Sequence, residues 1–304
     1  MLWSKTSTEN QELFFENEFG IRMFIKREDT LHPFISGNKY RKLKYNLQAA
    51  LTQKHHTLLT FGGAYSNHIA AVAYAAKISN LKSIGVIRGD ELKDAVAVNP
   101  TLSFAKHYGM QLYFISRNEY KHKTSSEFQE HLKHQFGNFF LIPEGGTNTL
   151  AVKGCQEILT KTDADFDEIC VAVGTGGTLA GLINSAKPHQ KVLGFPALKH
   201  AKLSKDICKF VSADNWQLIE DYHFGGYAKV TEELIRFLND FKQKNDILLD
   251  PIYTGKMMYG VYDMVAQGYF KPESKILCIH TGGLQGIEGM NQKLKTKGKT
   301  IIEI

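Results

Sequence analysis

The stretch SGNKYRKLKYNL, Ser36 to Leu47, holds four cations in twelve residues, and the question is which of them serves chemistry. Asn38 is a good N-cap with Gly37 before it, and Leu43, Leu47 and Ala50 mark the apolar stripe of a following helix. At about 100° per residue, Lys39 lies roughly 50° from the centre of that stripe and Arg41 lies nearly opposite. Lys42 and Lys44 fall at its margins, where long stems snorkel. Lys39 is therefore the inward lysine, and such a lysine needs a partner, a neutral state or a job. On this stretch alone two readings stand: an amine kept for covalent chemistry, or a packed stem whose head escapes at the helix end.

A second signal is ICVAVGTGGTLAGL (169–182), an apolar run, a Gly/Thr loop and a helical pattern. Gly174, Gly176 and Gly177 let the backbone approach a ligand, and the loop amides with the helix start favour an anion. No GK[ST] follows, so this is not a Walker loop. Leu179 occupies the third glycine position of the dinucleotide fingerprint, and the run at Val192–Phe195 does not end in an acid. A single phosphate group is the better match, with a tight strand–helix turn as the plain alternative. GGAYSNHIAAVAYAAK places Ser66, Asn67 and His68 at another helix start. Ser66 is either a simple N-cap or a hydroxyl reaching a substrate whose carboxylate lies on the free amides. HExxH, a GxSxG elbow and cysteine–histidine metal spacings are absent, and no metal is expected.

The elements that must position these loops alternate along the chain. Apolar runs suggest strands at Arg22–Lys26, Thr57–Phe61, Ser83–Arg88, Leu112–Ile115, Phe139–Ile142, Glu168–Val173, Val192–Phe195 and Lys275–His280. Amphipathic stretches between them suggest helices at Ile69–Ile78, Pro100–His107, Leu150–Thr160, Thr178–Lys187, Thr231–Lys242 and Lys256–Gln267. This order argues for parallel sheets with helices on both faces, with ligands beyond the carboxyl ends of the strands. FGGAYSNH, PEGGTN, VGTGGTLAG and HTGG all fall at such ends.

A chain of 304 residues, 43% hydrophobic and 22% charged, fits a soluble globular enzyme of one large or two moderate domains. The net charge of +6 is scattered, apart from a Lys/His-rich stretch from Lys121 to His134 that reads as a solvated helix face. No nucleic-acid partner is expected. Cys155, Cys170, Cys208 and Cys278 stand far apart, as reduced thiols do, with packing the use of Cys170 and Cys278. No apolar leader or membrane-length run is present, so the expected location is the cytoplasm, with no membrane partner.

Lys39 in GNKYRKL, then YSNH, VGTGGTLAG, YTGK and HTGG, in this order, resemble the pyridoxal-phosphate enzymes of the 1-aminocyclopropane-1-carboxylate deaminase/D-cysteine desulfhydrase family. REDTLHP and IPEGGTN extend the likeness from about residue 25 to about residue 290. Ser36 departs from it, standing where the family usually has a second glycine. The resemblance implies an α/β fold of two open, twisted, mainly parallel sheets flanked by helices, the tryptophan-synthase-β-like fold type II. A larger cofactor domain would comprise residues 1–44 and 156–304, with a smaller domain, 45–155, closing over it, in a homodimer. Lys39 would hold pyridoxal 5′-phosphate covalently. Gly174, Thr175, Gly176, Gly177 and Thr178 would hold its phosphate, and Asn67 its phenolic oxygen. The helix start at Ser66, Asn67 and His68 would take the substrate carboxylate, Tyr227 and Tyr253 would face the substrate, and Ser66 would assist proton transfer.

The likeness also speaks to the substrate. Thr254 and Thr281 stand where the cyclopropane deaminases carry Glu and Leu, as in the D-cysteine desulfhydrases. A carboxylate beside the ring nitrogen would strengthen the electron sink, and a threonine hydroxyl cannot. D-cysteine, or a related D-amino acid with a good β-leaving group, is the expected substrate, and 1-aminocyclopropane-1-carboxylate is the alternative. A non-catalytic protein that binds the cofactor is the alternative of another class.

Overall fold

Alternating apolar and amphipathic segments resolve into two separate sheets in the computed structural model, which describes the chain apart from residues 1, 2, 5, 199 and 200. The strands are β1 (Asn10–Glu12), β2 (Arg22–Lys26), β3 (Thr57–Gly62), β4 (Lys82–Arg88) and β5 (Met110–Ile115). They continue with β6 (Phe140–Ile142), β7 (Glu168–Val173), β8 (Lys191–Pro196), β9 (Trp216–Leu218) and β10 (Lys275–Ile279). The helices are α1 (Asn38–Thr52), α2 (Asn67–Ile78), α3 (Pro100–His107), α4 (Ser126–Phe136) and α5 (Thr149–Cys155). The second half adds α6 (Gly177–Ser185), α7 (Leu203–Cys208), α8 (Glu232–Asn245), α9 (Thr254–Ala266) and α10 (Gly286–Lys295).

One sheet has six strands in the order β1-β2-β10-β7-β8-β9, drawn from both ends of the chain; the other has four, β5-β4-β3-β6, drawn from its middle. Every pairing is parallel except β1 with β2. Buried on both faces, β7 serves two cores at once. Ile169, Val171 and Val173 pack with Leu179 and Leu182 of α6. Cys170 and Ala172 pack with Leu238 of α8 and Met257 of α9. Cys278 lies opposite Cys170 in the β10–β7 register, and both thiols are buried as packing groups. Residues 126–136 form α4, whose only buried side chain is Leu132, so this basic stretch is the solvated helix its composition suggests. No helix of the described residues is long and apolar enough to cross a membrane.

Several local expectations need correction. Asn38 is the first residue of α1, and Gly37 occupies the cap position. The helix expected to run to Thr160 ends at Cys155, where i→i−3 bonds from Glu157 to Gly154 and from Ile158 to Cys155 wind it into turns. Arg41 does not face solvent. Its guanidinium meets the Glu28 carboxylate at 2.7 and 2.8 Å and donates to the Thr6 carbonyl, with both ionic side chains essentially unexposed. The strap from β2 to α1 lies over that face of the helix and supplies the counter-charge. A second buried pair, Lys26–Asp163 at 2.9 Å, ties the end of β2 to the segment before β7.

Breaking a buried pair on one side costs far more than replacing both partners. Glu28→Ala is therefore expected to destabilise the protein by about 3–5 kcal/mol, and Glu28→Leu with Arg41→Met to recover most of that loss. Urea unfolding of the single and double variants measures it. A single-variant loss below about 1 kcal/mol would show that water reaches the pair.

Candidate active site

The site begins where α1 meets the turn after β10. Gly37 sits at φ +59°, and a Cβ there would lie 1.9 Å from the Thr281 carbonyl oxygen. The Asn38 amide donates to that same oxygen at 3.2 Å, so the start of α1 is laid directly on the HTGG turn. Buried His280 fixes the turn: its Nδ1 accepts from the Gly282 amide, which leaves Nε2 to donate to the Leu248 carbonyl at 2.7 Å. Lys39 follows on the first turn of α1. Its Nζ donates to Asn38 Oδ1 at 2.9 Å, and Asn38 Nδ2 donates to Thr178 Oγ1 at 2.9 Å. Desolvation, reinforced by the neighbouring Lys42 cation, lowers the Lys39 amine to about 7.

The Gly/Thr loop lies opposite. Gly176, left-handed at φ +83°, caps α6 with no side-chain bond to the helix amides, leaving that helix start free for an anion. The loop also rests on PEGGTN. Thr147 Oγ1 lies 2.5 Å from Thr175 Oγ1. Lys42, expected at a solvated margin, is buried and donates to the Gly145 carbonyl at 2.9 Å and to Thr147 Oγ1 at 3.2 Å. Its carbonyl partner belongs to a distant loop, and no helical wheel can show that. A cavity of about 70 Å³ lies between these parts, walled by Lys39, Lys42, Asn67, Tyr253, Thr281 and the loop from Gly174 to Thr178, Gly177 excepted. A second cavity of about 260 Å³ shares Lys39, Asn67 and Thr281 and is bordered by Phe34 and Leu284.

Of the residues singled out in the sequence, Lys39, Asn67, Gly174, Thr175, Gly176, Thr178, Tyr253 and Thr281 thus converge on one cavity. Gly177 lies behind its wall, pressed on Thr147. Thr254 is also a layer back, fully buried, with its Oγ1 3.3 Å from Thr281 Oγ1. Tyr227 is exposed and lines neither cavity, but sets its ring edge-on to Tyr253 with centroids 6.2 Å apart. Burial holds the Tyr253 phenol well above its ordinary range, so it is protonated near neutrality.

Two of the expected residues stand apart from both cavities. Ser66 does not line either cavity. Its hydroxyl accepts from the Ile69 amide at 3.3 Å and caps α2, because the helix start needs that acceptor. His68 lines neither cavity; its Nε2 is 2.8 Å from Thr60 Oγ1, and Thr60 in turn donates to the Ile142 carbonyl. Burial depresses its pKa well below the usual imidazole range, so it offers a substrate carboxylate no charge. Asp250 was not singled out. Its buried carboxylate accepts from the amides of Ile252, Tyr253 and Thr254 at 2.8–3.0 Å and so sets the start of α9. An aspartate three residues before the tyrosine of YTGK is the trace it leaves in the sequence.

Pyridoxal phosphate fits these residues. A neutral amine suits its aldehyde, and the uncapped helix start suits its phosphate. Asn67 Oδ1, buried without a partner among the described residues, awaits a polar ligand.

Comparison with known proteins points the same way. The family model for pyridoxal-phosphate dependent enzymes matches residues 8–282. A Pyrococcus horikoshii protein provisionally named a 1-aminocyclopropane-1-carboxylate deaminase is 33% identical over 295 residues, 91% of this chain and 89% of its own. An Arabidopsis thaliana protein, named a mitochondrial bifunctional D-cysteine desulfhydrase/1-aminocyclopropane-1-carboxylate deaminase, is 31% identical across 88% of this chain and 74% of its own. The crystal structure of an ACC deaminase homologue superposes with a TM-score of 0.78 at 31% identity, covering 95% of this chain and 93% of that one.

Three outcomes are expected from this geometry. Borohydride reduction of the protein loaded with pyridoxal phosphate fixes the cofactor on Lys39, and Lys39→Ala abolishes the link. Because the amine is lowered to about 7, its neutral, nucleophilic fraction grows as pH rises, so cofactor uptake by the apoprotein speeds up from pH 6 to 8 and then levels off. Peptide mapping that finds the label on Lys42 would overturn the assignment. Ser66→Ala is expected to cost about 0.5–2 kcal/mol in thermal melts, with Ser66→Asp restoring the cap. A well-folded Ser66→Asp enzyme that has lost turnover would show that the hydroxyl does more than cap.

Proposed function

This chain belongs to the pyridoxal-phosphate dependent enzymes, and we propose that it is a lyase eliminating a β-substituent from a small D-amino acid, D-cysteine foremost. The observation that supports this substrate class is the hydroxyl pair of Thr254 and Thr281, 3.3 Å apart, with Thr281 on the cavity wall. No carboxylate side chain lines the inner cavity among the described residues. A hydroxyl there carries no charge to hold a ring proton, which suits the departure of a good leaving group better than the opening of an unactivated cyclopropane.

Bound pyridoxal phosphate supplies an electron sink for the pair left when the α-hydrogen departs. The chain's own groups do the rest. Lys39 Nζ, whose pKa of about 7 leaves a large share of it unprotonated near neutrality, accepts the α-proton. Asn67, at the start of α2, binds and orients the substrate carboxylate. Lys42 and Asn38 brace the loops on either side of the amine. Tyr253 and Tyr227 cover the reacting region, and the protonated phenol of Tyr253 can donate to the leaving group. The β-substituent leaves with its bonding electrons, as sulfide from D-cysteine, and addition of water releases the remainder as pyruvate and ammonia. The second reading, 1-aminocyclopropane-1-carboxylate deamination to 2-oxobutyrate and ammonia, is favoured by the name of the Pyrococcus horikoshii relative, whereas the Arabidopsis thaliana relative is named for both activities.

A panel of D- and L-amino acids with the cyclopropane decides between them through release of 2-oxo acid and sulfide. Release of pyruvate and sulfide from D-cysteine is expected, with the cyclopropane turned over slowly or not at all. Thr254→Glu combined with Thr281→Leu should move the ratio of the two activities toward ring opening by at least about tenfold. Efficient production of 2-oxobutyrate by the unmodified enzyme would favour the second reading instead.

A further inference from the structure

Tyr227 stands on a loop that lies outside any helix or strand, and α9 is what holds that loop. From Tyr222 to Lys229 the backbone takes positive φ at Phe224 (+53°), Gly225 (+83°), Gly226 (+119°) and Ala228 (+55°). Non-glycine residues keep such angles only where their surroundings impose them. The surroundings are one stripe of α9, formed by Lys256, Tyr259, Gly260 and Asp263 at helical spacing. Asp263 accepts from the Tyr222 hydroxyl at 2.8 Å. Gly260 leaves room for the Tyr222 ring, which a Cβ would meet at 2.7 Å. Tyr259 packs edge-on to Phe224, centroids 5.0 Å apart. Lys256, only 2% exposed, donates to the carbonyls of His223 and Gly226 at 2.8 Å each. The cation is spent on two carbonyls of one loop, and the second of them is covalently next to Tyr227. The same helix carries Tyr253 just before its first turn.

We propose that Lys256 is a positioning residue that clamps the 222–229 loop and thereby sets Tyr227 against Tyr253. Its place in YTGK is then explained: the motif's first residue forms one side of a two-tyrosine wall, and its last residue aims the other. The proposal rests on Tyr227 facing the substrate as described above, and its test has an arm that does not.

Chymotrypsin cleaves after aromatic residues, so in the apoprotein the rate of cutting at Phe224 and Tyr227, followed by mass, reports how firmly the loop is held. Lys256→Met is expected to raise that rate by at least about tenfold while cleavage elsewhere is unchanged, and Lys256→Arg to restore much of the protection. In the loaded enzyme, Lys256→Met should lower kcat/KM about 10–100-fold in an otherwise unmodified protein, yet less than about threefold in a Tyr227→Phe background. Equal losses in both backgrounds, or unchanged cleavage, would overturn the proposal. Should the methionine variant not fold, Lys256→Gln passes through both arms under the same criteria. Faster cleavage in a protein that turns over no D-amino acid would sink the substrate assignment and leave the clamp standing.

Discussion

The site depends on one contact between backbones: the Thr281 carbonyl fills the space where Gly37 would carry a side chain and accepts the Asn38 amide. Two loops more than two hundred residues apart are thereby fixed at van der Waals distance. That contact sets the starting point and direction of α1, and hence where Lys39 projects. Through Asn38 and Thr178 it also connects the amine to the helix start of α6. Any side chain at position 37 would have to part the two turns, and the cavity between them would lose its geometry.

Around that contact, three cations of one helix face three different environments. Arg41 is matched by a buried carboxylate and serves only to fasten the strap. Lys42 is satisfied by a carbonyl and a hydroxyl, so it keeps loops in place while remaining close enough to disfavour a proton on its neighbour. Lys39 alone has just an amide oxygen as its partner among the described residues. The reactive amine is therefore defined by what the other two cations receive and it does not.

Much of this order was legible beforehand because it is local. β2, β7 and α3 have the expected bounds: the strands are built on the apolar runs 23–25 and 169–173, each edged by a charged residue, and α3 opens with Pro100 behind the cap Asn99. The Gly/Thr loop apart from Gly177, with Lys39, Asn67, Tyr253 and Thr281, lines one cavity, because strand-to-helix turns of parallel sheets gather at one edge. What stayed hidden is non-local. β1 and β9 are three-residue strands whose existence depends on a neighbouring strand. The burial of Arg41 and Lys42 depends on Glu28 and Gly145, which helical periodicity does not register. Ser66 and His68 show the converse: both adjoin Asn67 in sequence, yet Ser66 is the extended cap residue and His68 lies about 100° further round the helix, so neither lines the cavity that Asn67 lines.

The six-stranded sheet has a consequence for how the protein is made. β2 leaves the ribosome roughly 250 residues before β10, the strand that must lie beside it. At a synthesis rate of about 5–20 residues per second, that interval is roughly 12–50 seconds. The four-stranded sheet, contiguous from β3 to β6, can form in the meantime. The first hairpin waits with an open edge for its partner, and the GNK turn waits with it. No nascent fragment short of β10 can assemble the pocket around its reactive amine, so the chain acquires its chemistry only when its synthesis is nearly finished.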